Sequence, residues 1–357
     1  MSTTLGHETL KVRIESIPGH LQSILRAPPP QVKALKQAPS VVTTGLGSSE
    51  ATARYLTSLL NRSGTVRSEF LPHSVFYGEL PSYENRPHIV LFSQGLSPNT
   101  EIVLAQRHHF SGLTLVTAST PEGQEKAGKP KRAQILRDLI AEDNTIVRHP
   151  IENEYEILPR VVGPICAELT CLRIASEVLS PSMLPLPDES TLISACRGPF
   201  LLPDELDAWA TELLEGVDFF FTNRESTYAQ NLAAKILETI FRPLPRLYDA
   251  FHYSHGPFQV DRSLGGRKWI FAGPEKSAID LVKRLTPLFQ RTGPTRVIQS
   301  PLPEPYALFY YEQFLNTVVL RAAEIAQVDL INWPGKGEDG EGYSLSQPYM
   351  APNKMPL

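Results

Sequence analysis

Val41-Val42-Thr43-Thr44-Gly45-Leu46-Gly47-Ser48-Ser49-Glu50 decides the fold. A short apolar run feeds two glycines and two serines. An apolar-periodic stretch follows through Ala51, Tyr55, Leu56, Leu59 and Leu60. This is the order strand, tight turn, helix. Gly45 and Gly47 let the backbone turn without a Cβ clash. Ser48 or Ser49 is expected to cap the helix and leave spare N–H groups at its start, a place suited to an anion or a sugar hydroxyl. A dinucleotide fingerprint would want a third small residue three positions past Gly47. That position holds Glu50, whose charge would repel a pyrophosphate, so NAD is not expected.

Working outward, Ser40–Thr44 reads as the first strand and Glu50–Asn61 as its helix. Thr65–Phe70 alternates as a strand, and His88-Ile89-Val90-Leu91-Phe92 is a continuous apolar run typical of a central, buried strand. Asn99–His109 reads as a helix, Leu113–Thr117 and Thr145–Arg148 as strands, and Pro159–Leu179 as a long apolar helix. Residues 180–202, rich in Pro and Ser, read as a linker. The pattern then begins again. Helices are expected at Pro203–Leu214, Thr227–Phe241, Ser277–Gln290 and Pro305–Ala326. Strands are expected at Val217–Phe221, Arg246–Phe251, Lys268–Phe271 and Thr295–Gln299. The alternation predicts an α/β chain of two doubly wound parallel-sheet lobes in tandem. The expected boundaries are a helical arm at 1–37, a first lobe at 38–190, a second at 191–328 and an aperiodic tail at 329–357.

Composition narrows the function classes. The formal net charge of −4 gives no overall basic field for nucleic acid or an anionic membrane. No stretch of about 18 apolar residues is present, so no spanning helix is expected. Met1–Leu10 is too polar for a secretory core, and Cys166, Cys171 and Cys196 make an odd count. Reduced thiols and a cytoplasmic location are the expectation.

Four pieces carry a family resemblance. Gly45-Leu46-Gly47-Ser48-Ser49 resembles a glycine-rich turn with a Ser/Thr pair. Phe92-Ser93-Gln94-Gly95-Leu96-Ser97-Pro98-Asn99-Thr100 resembles an S-Q-S-G-x-T loop. Lys235-Ile236-Leu237-Glu238 resembles a K-L-K-E helix segment, and Tyr248 with His255-Gly256-Pro257 resembles A-Y-x6-H-G-P. Over residues 38–336 the chain resembles the sugar isomerase (SIS) domain family. It is similar there to the tandem isomerase half of glucosamine-6-phosphate synthase and to fructosamine-phosphate deglycases. The resemblance implies flavodoxin-like SIS lobes and a small sugar derivative as ligand. It also implies a homodimer whose sites draw on both subunits.

The departures fall on the phosphate loop. Against the family pattern, the second Ser is Gly95, the Gly is Leu96 and the Thr is Pro98. Two hydroxyl donors are lost, and proline brings no N–H. Ser97, Asn99 and Thr100 are the residues able to compensate, beside Ser93 and Gln94, with Gly47, Ser48 and Ser49 on the neighbouring turn. Arg246 stands where the family has glutamate and offers a cation for a phosphate or carboxylate. Ser2 replaces a terminal cysteine, so no glutamine-hydrolysing activity is expected.

Aldose–ketose isomerisation needs a base that reaches both C1 and C2, and a group that opens the ring. The resemblance assigns the base to Glu238 and ring opening or proton shuttling to His255, whose ordinary pKa is near 6.5. The resemblance, which has a lysine seven residues after an aspartate, assigns Lys336, after Asp329, to the open-chain carbonyl or amine. Glu156 is expected to touch a sugar hydroxyl or to compensate charge at the start of the long helix. His252 and His255 lie three apart without a matching Cys or acid set, so neither a metal nor another cofactor is expected. The expected activity is that of a sugar-phosphate or amino-sugar isomerase or deglycase. The alternative is a non-catalytic carbohydrate-derivative sensor or partner subunit.

Overall fold

A computed structural model of the chain describes residues 2–149, 151, 154–198 and 200–346. The chain divides into two compact units. One comprises residues 29–150, 173–184 and 333–357, the other residues 1–28, 151–172 and 185–332.

The first of these units is built on a parallel sheet of β1 (Ser40–Gly45), β2 (Arg67–Phe70), β3 (His88–Phe92), β4 (Gly112–Thr117) and β5 (Thr145–Arg148) in the order β2-β1-β3-β4-β5. Every residue of β3 is buried, as its unbroken apolar run requires. Its one polar member, His88, satisfies Nε2 on Thr114 Oγ1 at 2.9 Å. Val42, Ile89, Leu91, Leu113 and Leu115 form the core with Phe76, Phe110 and Leu136 from flanking segments. Strand order reverses between β1 and β3, where Gly45 pairs with Phe92. Their outgoing loops therefore leave the sheet side by side, the geometry in which open sheets take ligands. Helices His73–Tyr77, Pro121–Lys126 and Pro130–Ala141 add to those read from the sequence.

The other unit carries β6 (Asp218–Phe221), β7 (Leu247–Asp249), β8 (Lys268–Ala272) and β9 (Thr295–Gln299), parallel in the order β7-β6-β8-β9. Side chains alternate across it. Phe219, Phe271 and Trp269 meet Trp209 and Tyr311 of helices Pro203–Glu215 and Ala307–Ile325, with the Trp209 and Trp269 ring centroids 4.8 Å apart. Phe220 and Ile270 pack with Tyr253 and Phe289. Helix Ser2–Arg26 belongs to this unit. It buries Leu10, Ile17 and Leu21, and its Ile14 carbonyl accepts from Gln313 Nε2 at 3.0 Å. The arm expected at the N-terminus is thus a packed element of the second sheet's unit.

Two expectations change. Residues 180–202 hold a helix, Glu189–Ala195, whose Leu192 and Ile193 are buried. Asp188 starts it by accepting from Thr191 N at 2.8 Å. The strand expected at Arg246–Phe251 is only Leu247–Asp249. The Asp249 carboxylate then accepts from Phe251 N at 2.9 Å and turns the chain into a 3-10 segment, Ala250–His255.

Candidate functional site

The turn after β1 is shaped by its glycines. A Cβ on Gly45 would lie 2.2 Å from the Ser49 carbonyl, and Gly47 sits at φ +63. Gly47 itself precedes helix Ser48–Asn61, and no side chain caps it. The expected cap at Ser48 or Ser49 is therefore corrected. Both serines are already helical, half-exposed, and within the first turn. Glu50 points along the helix to Arg54 at 2.8 Å. His73, unnoticed in the sequence, meets Thr44 Oγ1 through Nδ1 at 3.1 Å. Burial holds its imidazole below the usual range, so it stands neutral beside the turn.

The loop after β3 gathers hydroxyls. Thr100 Oγ1 lies 2.9 Å from Ser93 Oγ and 3.3 Å from Ser97 Oγ. The Gln94 carbonyl accepts from Thr117 Oγ1 and Ser119 Oγ, each at 3.1 Å, and anchors the loop to the end of β4. Leu96 takes a left-handed backbone, at φ +47. That conformation costs about 1–2 kcal/mol for a residue with a Cβ. The Leu96 side chain is buried in the first core, which contributes about 1.5–3 kcal/mol and offsets it. Asn99 turns away from the hydroxyls. Its carboxamide is taken up by residues 342–345 of the same unit.

A cation missed in the sequence also reaches this loop. Arg132, near the start of helix Pro130–Ala141, donates to the Gly95 carbonyl at 3.0 Å. Lys129 lies close enough for the Arg132 charge, after burial, to hold its ammonium below the ordinary range. The signal was the basic run Lys129-Pro130-Lys131-Arg132. The structure thus brings Gly47, Ser48, Ser49, Ser93, Gln94, Ser97 and Thr100 to the adjoining ends of β1 and β3, with positive charge beside them.

In the second sheet's unit, Glu238 lies half-buried on helix Gln230–Ile240. Burial raises its carboxyl above the usual range. Arg160, by charge and main-chain N–H, and Lys235 pull it down, while Glu154 raises it. A carboxyl so raised is suited to accepting and returning a proton. One turn earlier, Lys235 forms a buried ion pair with Glu312 at 2.6 Å, and Asn231 Nδ2 donates to Glu312 Oε1 at 2.9 Å. Glu168, fully buried nearby, has a carboxyl pushed well up by desolvation and by the charge of Glu312, against the pull of Lys235.

Glu156 does not hold the start of the long helix. That helix begins at Val162, and Glu154 serves it, accepting from Val161 N, Val162 N and Gly163 N at 2.8–3.1 Å. Glu156 is exposed and pairs with Arg13 at 3.3 Å. His255 ends the 3-10 segment in solvent, its ring 6.5 Å from that of His252. The Gly256-Pro257 that follows has a local reason: Gly256 takes φ +136 and Pro257 opens helix Pro257–Leu264. No hydrogen bond or ion pair joins His255 to Glu238 among the described residues. Arg246 lies at the opposite end of β7 from His255 and donates through Nε to Asp218 Oδ1 at 2.9 Å. Lys336 belongs to the first sheet's unit, exposed, with its ammonium 4.4 Å from the Trp333 ring centroid.

Among the described residues no cluster of His, Cys, Asp and Glu has the geometry to hold a metal ion. No described helix is long and apolar enough to cross a membrane. The three thiols are buried, and Cys196 is pushed up to about 12 by burial, which keeps it a poor nucleophile.

No protein-family model and no curated protein sequence matches the chain. Its fold is similar to that of the C-terminal domain of glucosamine-fructose-6-phosphate aminotransferase from Francisella tularensis. The TM-score is 0.71 at 12% identity, over 90% of this chain and 97% of that one. It is also similar to glucosamine-6-phosphate deaminase from Thermotoga maritima (TM-score 0.61, 15% identity, 90% and 96% covered). Tagatose-6-phosphate ketose/aldose isomerase from Escherichia coli gives a TM-score of 0.57 at 13% identity, over 93% and 95%. At these identities the likeness is one of fold.

Proposed function

We propose that this protein binds a sugar bearing an anionic group, a phosphosugar above all, and acts on its open-chain form as an isomerase or deglycase. The observation that carries the reading is the hydroxyl cluster Ser93, Ser97 and Thr100, set at the strand-order reversal beside the Gly45–Ser49 turn. Hydroxyls and main-chain N–H groups at that place suit a phosphate, and each charge-assisted bond contributes about 1.5–3 kcal/mol. The Arg132 guanidinium supplies charge where the loop has lost hydroxyls. The names of the fold's neighbours, a deaminase and an isomerase of 6-phosphosugars, support the same substrate class.

The reading assigns anion binding to the Ser93–Thr100 loop and proton transfer to Glu238. Glu238 takes the proton from C2 of the open-chain aldose, leaving an enediolate; a proton passes from the C2 hydroxyl to O1, and Glu238 returns its proton to C1 as the C2 carbonyl of the ketose forms. His255 donates or accepts at the ring oxygen during opening. The active species is a homodimer. Lys336 is left outside the central roles, because its ammonium rests on Trp333 in solvent. Pure protein is incubated with fructose 6-phosphate, glucosamine 6-phosphate and fructosamine phosphates, and products are followed by NMR. Turnover that disappears in Glu238→Gln supports the reading. Turnover unaffected by that change overturns the role of Glu238, and no turnover on any of the three removes the enzymatic reading.

Ligand sensing without turnover is favoured by one observation, the commitment of Asn99 to residues 342–345. A phosphosugar that raises the melting temperature and is recovered unchanged would establish it.

A further inference from the structure

The amino-terminal edge of the second sheet holds a cavity of about 850 Å³. It lies where β6, β7, β8 and β9 begin, the end of the sheet away from His255. Its volume is that of a small-molecule site. Three guanidiniums line it, Arg242, Arg246 and Arg267, against two carboxylates, Asp218 and Glu215. Both carboxylates are already engaged. Asp218 takes Arg246 as a two-pronged fork, and Glu215 pairs with Arg267. These pairings fix the two arginines in place. They do not consume the third cation, because Arg242 has no acidic partner among the described residues. Arg242 and Arg246 are also held by the chain between them, Pro243-Leu244-Pro245, whose prolines fix φ.

The rim is apolar. Leu264 is 82% exposed and Leu244 54% exposed, and both line this cavity. Single exposed leucines are ordinary, but two at the mouth of one basic cavity are a surface awaiting a partner of matching character. The spare positive charge selects an anion, and the leucines select an apolar body. A guanidinium fork matches phosphate and carboxylate oxygens alike.

We propose that this cavity binds a small amphipathic anion, with its phosphate or carboxylate on Arg242, Arg246 and Arg267 and its body against Leu244 and Leu264. The site is separate from the residues assigned to sugar chemistry, since none of those besides Arg246 lines it. Arg246, expected from the sequence to meet a substrate anion, serves this second ligand instead.

The test is isothermal titration calorimetry on the full chain with three probes: octanoate, adenosine monophosphate and inorganic phosphate. Saturable binding of octanoate or adenosine monophosphate is expected, and the one that binds identifies the head group. Arg242→Gln and Leu264→Ser are both exposed positions whose changes leave the fold intact. Each is expected to weaken that binding about tenfold, a difference of about 1.4 kcal/mol. Absence of binding by both organic anions overturns the proposal. So does unchanged affinity of the bound organic anion in both variants.

Discussion

Asn99 and Gly342 are joined across most of the chain's length. The Asn99 Nδ2 donates to the Gly342 carbonyl at 2.7 Å, and Leu345 N closes the other end of the carboxamide on Oδ1 at 2.9 Å. The side chain is 95% buried beneath this contact. One residue of the hydroxyl loop thus fixes the C-terminal segment by a two-point amide bond.

Replacing Asn99 by Ala therefore releases residues 340–346 with little loss of global stability. Each net hydrogen bond contributes about 0.5–1.5 kcal/mol, so exchange of the Leu345 amide is expected to quicken about tenfold. Hydrogen exchange resolved by mass spectrometry checks this. Protection that does not change would mean that other contacts hold the segment.

Arg132→Gln is expected to weaken phosphate binding about tenfold or more while melting temperature barely moves, because the side chain is only half-buried and bonds a single carbonyl. Calorimetry with inorganic phosphate measures it, and Ser93→Ala serves as the comparison. Loss in the serine variant alone would assign the anion to the hydroxyls.

The buried pair Lys235–Glu312 predicts an asymmetry. Removing one partner, as in Lys235→Met, strands the other charge and costs about 3–5 kcal/mol in denaturant unfolding. Replacing both with apolar residues loses much less. Glu168→Gln is expected to cost less than Lys235→Met, because burial pushes that carboxyl well up and so favours its neutral form. A large loss in Glu168→Gln would show that it is ionised.

His88 and His149 set the response to acid. Burial lowers both to about 4, below the ordinary 6.5, so the folded chain holds them neutral while the unfolded chain protonates them. Stability is therefore lost as pH falls from about 6.5 to about 4, each histidine contributing a slope of up to about 1.4 kcal/mol per pH unit. His149→Gln should flatten the curve. An unchanged slope would locate the acid sensitivity elsewhere.

Glu238 predicts the rate profile of the proposed reaction. With its carboxyl raised, the base form appears only above the ordinary carboxylate range, so turnover rises with pH beyond about 4.5. A flat profile there would remove it as the base.

The sheets were legible because their strands are local signals. His88–Phe92, Thr145–Arg148 and Thr295–Gln299 have the same bounds in sequence and structure, since each is an apolar or alternating run between turn residues. The turn at Gly45–Gly47 was legible for the same reason, its glycines being required by φ and close approach. Contacts made by long side chains were not. Glu154 reaches across nine residues to Gly163 N and meets the helix-start charge that was expected of Glu156. Arg132 meets Gly95 from 37 residues away, and Asn99 meets Gly342 from 243. Helix Glu189–Ala195 hid inside a Pro- and Ser-rich stretch because Asp188, a good helix starter, is also a loop residue.

Helix Ser2–Arg26 finds its packing partner in Ala307–Ile325, with residues 29–150 forming another unit between them. The Ile14–Gln313 bond spans 299 positions, so this contact closes only after the residues between have been made. The strands β1–β5 are complete long before that. Until the later helix arrives, Leu10, Ile17 and Leu21 lack their packing partner, which makes that apolar face a natural client of a chaperone during synthesis.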